Sequence, residues 1–377
     1  MRLSRHIAPP LRIFSGPDSL GAIRGELARV NSTRAVVLCG ASLSRDGLVD
    51  PVTAAIGERC AGVFSGVVAH SPLPAVEAAA EALHQLQADA VVAVGGGSAI
   101  VTARAASILL AEQGDARALC TSRDASGEMR SPKLLAPKLP QLVVPTTPTT
   151  ATVKAGSAVL DPVDGRRLAL FDPKTRAQSV FVHPQLLEAT PRDLVVSAGL
   201  NTLAMAIEGL MSRSGDPFSD ALLMHALRML VRGLPRVDRE DLMMASLMCG
   251  HGTDFTGAGI AIPLGHAISA RFHVDNGLAN AVVMPHVLRF NAEAAPSGLH
   301  NLATALDIHD FSVESVVDAL DPVLNAPGLP QRLRDLGVTR ESLPQLASVS
   351  FGDWFVRDNP RKVRDAEELL GVLEAAW

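Results

Sequence analysis

At 377 residues the chain is long enough for two domains of ordinary size, and 47% hydrophobic against 19% charged residues is the composition of a well-cored globular protein, which excludes a disordered one. A net charge of -5 without any basic block, 3% aromatic residues and no tyrosine argue against nucleic acid as a partner. The apolar stretches, such as VVAVGGGSAI, read as too short and too glycine-rich to span a bilayer, and MRLSRHIAPPLRIF lacks the apolar segment of a signal peptide. Cys39, Cys60, Cys120 and Cys249 are scattered without CxxC spacing, as expected of free thiols in a reducing cytoplasm. The expectation is a cytoplasmic protein whose partner is a small-molecule substrate, with no membrane.

In chain order, RAVVLCG (34–40) is a short apolar run ending at glycine, suited to a buried parallel strand. A helix follows over 49–60, then a strand over 62–74 that closes on a proline-rich turn. PAVEAAAEALHQLQ (74–87) is a helix with proline near its start. ADAVVAVGGGS (88–98) is a strand running into a glycine turn, with a helix over 99–113 behind it. Residues 120–140 read as a long, mobile loop, and PQLVVPTTPTTATV (140–153) as a strand followed by a threonine-rich turn. Repeated βαβ units imply a parallel sheet with helices on both faces. Beyond HPQLL the strand signals nearly vanish and helices follow one another over 191–213, 217–233, 239–256, 259–271 and 277–292. The expected architecture is an α/β domain over 1–183 and an all-α domain over 184–377.

Two turns carry candidate chemistry. Gly95-Gly96-Gly97-Ser98 stands between strand and helix, where missing Cβ atoms let backbone N–H groups approach an anion at a helix N-terminus; a tight structural turn is the alternative. The turn is not GxGxxG, and no acidic residue stands about 20 residues on to read a ribose. Thr146, Thr147 and Thr150 follow the next strand, where hydroxyls serve phosphate or ribose, or else cap and tie the turn. In GLNTLAMAIEGL (199–210), Leu200, Leu203, Ile207 and Leu210 share one helix face, and Asn201, Met205 and Glu208 form a thin stripe on the other.

Together these segments resemble the iron-containing (group III) alcohol dehydrogenase superfamily. VVAVGGGSAIVTARAASI is similar to its GGGSxxDxxK segment and PTTPTTATV to its PTTAGTGSE turn. GLNTLAMAIEGL resembles its GxDAxxHAxE helix, and IPLGHAISARFHVDNGLANAVVMPHVLRFN its HxxxH(x)nHGxxNAxxLPHxxxfN segment. SAGLN (197–201), LMCG (247–250), the ten-residue spacing from His266 to Asn276, AAP (294–296) and DNPR (358–361) resemble the maleylacetate reductase branch. The resemblance implies an N-terminal dinucleotide-binding domain, a helical substrate domain, hydride transfer in the cleft between them, and a homodimer. It implies NAD or NADP held by Gly95, Gly96, Gly97, Ser98, Thr146, Thr147, Thr150 and Arg167. Gly40, at the position that would select a free 2′-hydroxyl, leaves NADP open beside NAD, with Arg45 near enough in sequence to meet a 2′-phosphate.

The family's metal is held by one Asp and three His. Here those positions are Asn201, Met205, Ile262 and Asn276, a donor set unsuited to Fe²⁺ or Zn²⁺, so no metal is expected. The Lys and Asp of GGGSxxDxxK are Arg104 and Val101. Without a metal the alkoxide must be stabilised by side chains. The candidates are His266, which can polarise a carbonyl or deliver a proton, His273 two helical turns on, and the amides of Asn201 and Asn276. A core histidine satisfied by backbone is the plainer reading of His266, and a helix-end histidine that of His273. Glu208 is expected to make a structural hydrogen bond. The leading reading is a metal-independent NAD(P)H-dependent reductase or alcohol dehydrogenase; the alternative is a non-redox or ligand-binding member of the same fold.

Overall fold

The computed structural model describes residues 6–123, 129–163 and 165–377, and the chain divides into two compact units. The α/β unit covers Pro9–Thr190. Its strands β1 (Arg12–Ser15), β2 (Ala35–Gly40), β3 (Cys60–Val67) and β4 (Ala90–Gly95) are joined by helices α1 (Ile23–Arg29), α2 (Ala41–Arg45), α3 (Asp50–Ile56) and α4 (Leu73–Gln85). After α5 (Gly97–Glu112) come the two-residue strands β5 (Ser122–Arg123) and β6 (Met129–Arg130), then β7 (Gln141–Pro145), β8 (Gly156–Leu160), β9 (Arg167–Phe171), β10 (Ala177–Val182) and α6 (Pro184–Glu188).

Six strands form one parallel sheet in the order β1-β10-β7-β4-β2-β3. Strand β2 is followed on one side by β3 and on the other by β4, so the order reverses there and the carboxyl ends of β2 and β4 flank a topological switch point, where open α/β sheets bind ligands. The central strands are buried on both faces, as their unbroken runs of Val, Ala and Leu require. Val37, Val92 and Val144 pack with Ile23, Leu27, Val52 and Ile56 of α1 and α3. The intervening residues Val36, Val91 and Val143 are also fully buried and point to the other face, where α4 packs on β3 and α5 on β4.

Two strands escaped the sequence reading at one edge: β1, beside a proline pair, and β10. A separate antiparallel hairpin of β8 and β9 also lies where no strand was expected. The expected loop over 120–140 contains the antiparallel pair β5–β6, with 124–128 outside the described residues. Its far end is pinned: the Lys138 ammonium is fully buried, 2.6 Å from Glu112 and 3.1 Å from Asp172.

The helical unit comprises 6–8 and Pro191–Trp377. The boundary therefore falls at 190/191 rather than 183/184. Leu186 of α6 belongs to the α/β core, and Thr190 Oγ1 donates to the Thr146 carbonyl at 2.6 Å, which keeps 184–190 with the first unit. His6 joins the second by stacking on Phe218 and bonding Asp216. The helices are α7 (Arg192–Met211), α8 (Pro217–Gly233), α9 (Arg239–Thr256), α10 (Ala261–Phe272), α11 (Asn276–Asn291), α12 (Pro296–Ala305), α13 (Val313–Leu324), α14 (Leu343–Phe351) and α15 (Ala366–Ala376).

Helix α7 corrects one expectation from composition. It is long and apolar enough to cross a membrane, yet 78% of its most apolar window is buried, so its apolarity is that of a core helix. Both faces are buried, including Met205 and Glu208 of the polar-tipped stripe. The motifs at Asn291 and Asn359 are structural: their amides exchange two hydrogen bonds, at 2.9 and 2.7 Å, in a fully enclosed pair joining α11 to the C-terminal segment.

Candidate active site

In the α/β unit, the register Gly95↔Pro145 and the β2–β4 pairing bring Gly40, the Gly95–Ser98 turn and Thr146–Thr150 to one sheet edge. Gly95 adopts φ +139°, which L side chains rarely reach. A Cβ on Gly96 would stand 2.7 Å from Thr147 Oγ1, and one on Gly97 3.3 Å from Thr149 Oγ1, so the two turns touch through backbone and hydroxyls. The Thr146 N–H donates to the Gly95 carbonyl at 3.1 Å. Gly96 precedes the sixteen-residue α5 and supplies no capping side chain, which leaves the first N–H groups of that helix to a ligand or water. Gly40 has ordinary φ -77° and only Val67 O, at 3.8 Å, within reach of a Cβ; its backbone does not demand glycine.

The threonines divide between both readings. Thr149 accepts from Ala151 N–H and caps a 3₁₀ turn, while Thr146 and Thr147 are buried beside the glycines. Ser98 Oγ accepts from His70 N–H at 3.1 Å. Arg104, at the Lys position of the GGGSxxDxxK segment, faces inward. It is wholly buried and donates to the carbonyls of Gly156, at the start of β8, and Ala151, in the turn after β7, so its charge ties those two segments together. Arg167 opens β9 opposite Leu160, whose N–H donates to Ser71 O; Ser71 Oγ in turn donates to Ser98 O. That chain of bonds tethers the Arg167 end of the hairpin to the glycine turn.

In the helical unit, Asn201 of α7 accepts a 2.9 Å hydrogen bond from Asn280 Nδ2 of α11. Asn280 is 1% exposed, and the described residues give its Oδ1 no hydrogen-bond partner. In this pair Asn201 Oδ1 is the acceptor, which leaves its Nδ2 to donate elsewhere. Asn276 opens α11 one turn before Asn280. Gly265 of α10 lies against both: a Cβ there would stand 1.9 Å from Asn280 Oδ1 and 3.4 Å from Asn276 O. Asn201 and Gly265 thus meet at Asn280, the Asn276 carbonyl lies against Gly265, and Met205 and Ile262 are buried in the same core. His266 is half-buried, with Nδ1 3.4 Å from Asp353 Oδ2. His273 closes α10 in the left-handed region at φ 56°, as a helix-end histidine does.

The residues at the four metal positions offer two carboxamides, a thioether and an alkyl chain. Among the described residues no three His, Cys, Asp or Glu side chains come together as a metal site would require. The donor set does not fit Fe²⁺ or Zn²⁺.

Sequence reasoning missed Asn280 and Asp353. Asn280 was within reach, at i+4 from Asn276 on one helix face. Asp353 lies 87 positions from His266 and has no local signal.

Glu208 is fully buried and accepts from Gly259 N–H at 2.9 Å and Ala261 N–H at 2.6 Å, the structural role expected of it. Burial raises its carboxyl to about 7, against the pull of the Ala261, Gly259 and Ile262 N–H groups. A pKa raised on folding contributes stability that is full below about 4.5 and lost as pH rises through 7. Urea unfolding of the helical unit should therefore weaken by on the order of 3 kcal/mol between pH 4.5 and 8 relative to Glu208→Gln, which cannot ionise. A pH-independent difference between the two proteins would contradict this.

A parallel sheet with a glycine turn at its switch point, followed in the chain by an all-helical unit, is the architecture of an open α/β protein that binds a ligand at the carboxyl ends of its strands. A model of the iron-containing alcohol dehydrogenase matches residues 10–184, and one of the C-terminal region of that family matches 195–377. The chain belongs to the iron-containing alcohol dehydrogenase family. It is 28% identical to lactaldehyde reductase of Escherichia coli (strain K12), over 96% of this chain and 97% of that protein. It is 26% identical to maleylacetate reductase of Sphingobium indicum, over 97% and 95%. Sulfoacetaldehyde reductase of Bifidobacterium kashiwanohense, solved in complex with NAD⁺, shares the fold with TM-score 0.85 at 20% identity, over 100% and 99% of the two chains.

Proposed function

We propose that the chain is an NAD(P)H-dependent reductase of a carbonyl substrate, similar to maleylacetate reductase, that works without a catalytic metal. The observation that carries this reading is the Asn201–Asn280 bond. It commits the Asn201 carbonyl and leaves an N–H donor at the position that the resemblance assigns to the family's metal-ligating acid. The glycine turn, Thr146, Thr147, Thr150 and Arg167 hold the cofactor, and Gly40 leaves room at the ribose for NADP as for NAD. The relatives named as reductases, and the NAD⁺ complex of sulfoacetaldehyde reductase, support the cofactor class. A reduced nicotinamide held there would supply the hydride for the carbonyl carbon. Asn201 Nδ2, with Asn276, donates to the developing alkoxide, and His266 gives it a proton from Nε2. Met205 and Ile262 make the surroundings dry, which strengthens those bonds. His273 is assigned its helix-closing role. A cytoplasmic homodimer accords with the reading.

Titration with NADH and NADPH, followed by fluorescence quenching, tests it. Saturable binding of at least one is expected. Binding of neither would favour a member of the family that has become a ligand-binding protein.

A further inference from the structure

We propose that Asp353 is a positioning residue for His266, fixing the imidazole with a proton on Nδ1 and Nε2 turned to the reacting oxygen. The proposal rests on the reading of His266 above, but its geometry is independent of it. Asp353 precedes a 3₁₀ turn over Trp354–Asp358 and accepts from Phe355 N–H through Oδ1 at 3.0 Å. That bond fixes the carboxylate plane and leaves Oδ2 facing His266 Nδ1 at 3.4 Å.

Both side chains are largely shielded, 20% exposed for His266 and 15% for Asp353. The backbone around them is tied as well: Ser350 Oγ, near the end of α14, donates to the carbonyl of Pro263 in the first turn of α10. The segment bearing Asp353 is thus anchored to the helix bearing His266 one turn from the pair. A carboxylate on one ring nitrogen selects the tautomer and makes the other nitrogen the working one. In the reductive direction the Nε2–H bond of the imidazolium breaks and the O–H bond of the alcohol forms. The imidazole is left neutral with its remaining proton on Nδ1, against Asp353. In the oxidative direction the same bare Nε2 receives the alcohol proton.

The test is nitrogen NMR of the full-length protein with ¹⁵N-labelled histidine at pH 9, His266 being assigned by its loss in His266→Gln. The wild type is expected to show a protonated Nδ1 and a bare Nε2. Asp353→Ala should revert to the Nε2–H tautomer that free histidine prefers, and its kcat should fall roughly tenfold to a hundredfold with KM nearly unchanged. Asp353→Asn, whose single oxygen is held by the Phe355 N–H so that its amide N–H faces Nδ1, should revert the tautomer and slow turnover as well. A wild-type proton on Nε2, or a tautomer indifferent to Asp353→Ala, would overturn the proposal. If the tautomer shifts as expected but neither Asp353→Ala nor His266→Gln slows turnover, positioning by Asp353 stands and proton transfer by His266 does not.

Discussion

Asn201→Asp is expected to lower kcat for carbonyl reduction by roughly a hundredfold to a thousandfold, the effect of removing one preorganised oxyanion donor. The substitution keeps the shape of the side chain. It keeps an acceptor for Asn280 Nδ2, so the local bond of 2.9 Å can persist. What changes is the other atom, from an N–H donor to an anionic oxygen that repels the alkoxide. Binding of NADH or NADPH should be unchanged, because no cofactor group is assigned to α7. The change also restores the family's acidic ligand, but with Met205, Ile262 and Asn276 unaltered it should not restore metal binding. Steady-state kinetics with and without added Fe²⁺ or Zn²⁺ checks both points. Full activity of the variant would remove Asn201 from the mechanism.

Gly277→Ala is expected to destabilise the helical unit by about 3 kcal/mol or more. A Cβ at this position would stand 1.8 Å from the carbonyl oxygen of Ser197 and 2.6 Å from its carbon. Both are backbone atoms of α7, so no side chain can move aside, and α7 and α11 must separate in the middle of the core. Two other glycines calibrate the effect. Gly371 in α15 has nothing within 4 Å of a Cβ, and alanine there should stabilise by roughly 0.5–1 kcal/mol. Gly265→Ala meets the Asn280 amide, which can swing away, so its stability loss should be smaller while its kcat falls as the amide leaves Asn201. Denaturant unfolding of the three variants gives the ranking, and an unperturbed Gly277→Ala would contradict the close crossing of these helices.

Most of the architecture was legible because its causes are local. The central strands are continuous apolar runs, since both faces of a parallel sheet are covered, and they end at glycine where a turn begins. Strands β1 and β10 were not legible. RIFS is four residues with three of them exposed, and AQSVFV becomes a strand through its neighbours on the sheet. The Arg104 side chain shows the limit for charges: which atoms it meets depends on the turn at Ala151 and the start of β8 at Gly156, 47 and 52 residues further on. The same holds for the candidate site. The structural part of Glu208 was readable from its segment alone. The partners that give Asn201 and His266 their orientation lie on other elements, and only the folded chain brings Asn280 and Asp353 to them.

The central claim is that a family frame built around a metal here uses amide and imidazole groups in its place. It is tested most directly by carbonyl reduction measured before and after exhaustive dialysis against a chelator, with metal content determined on the same samples. Undiminished turnover with far less than one equivalent of metal per chain is the expected result. Turnover lost on chelation and regained with Fe²⁺ or Zn²⁺ would contradict the claim.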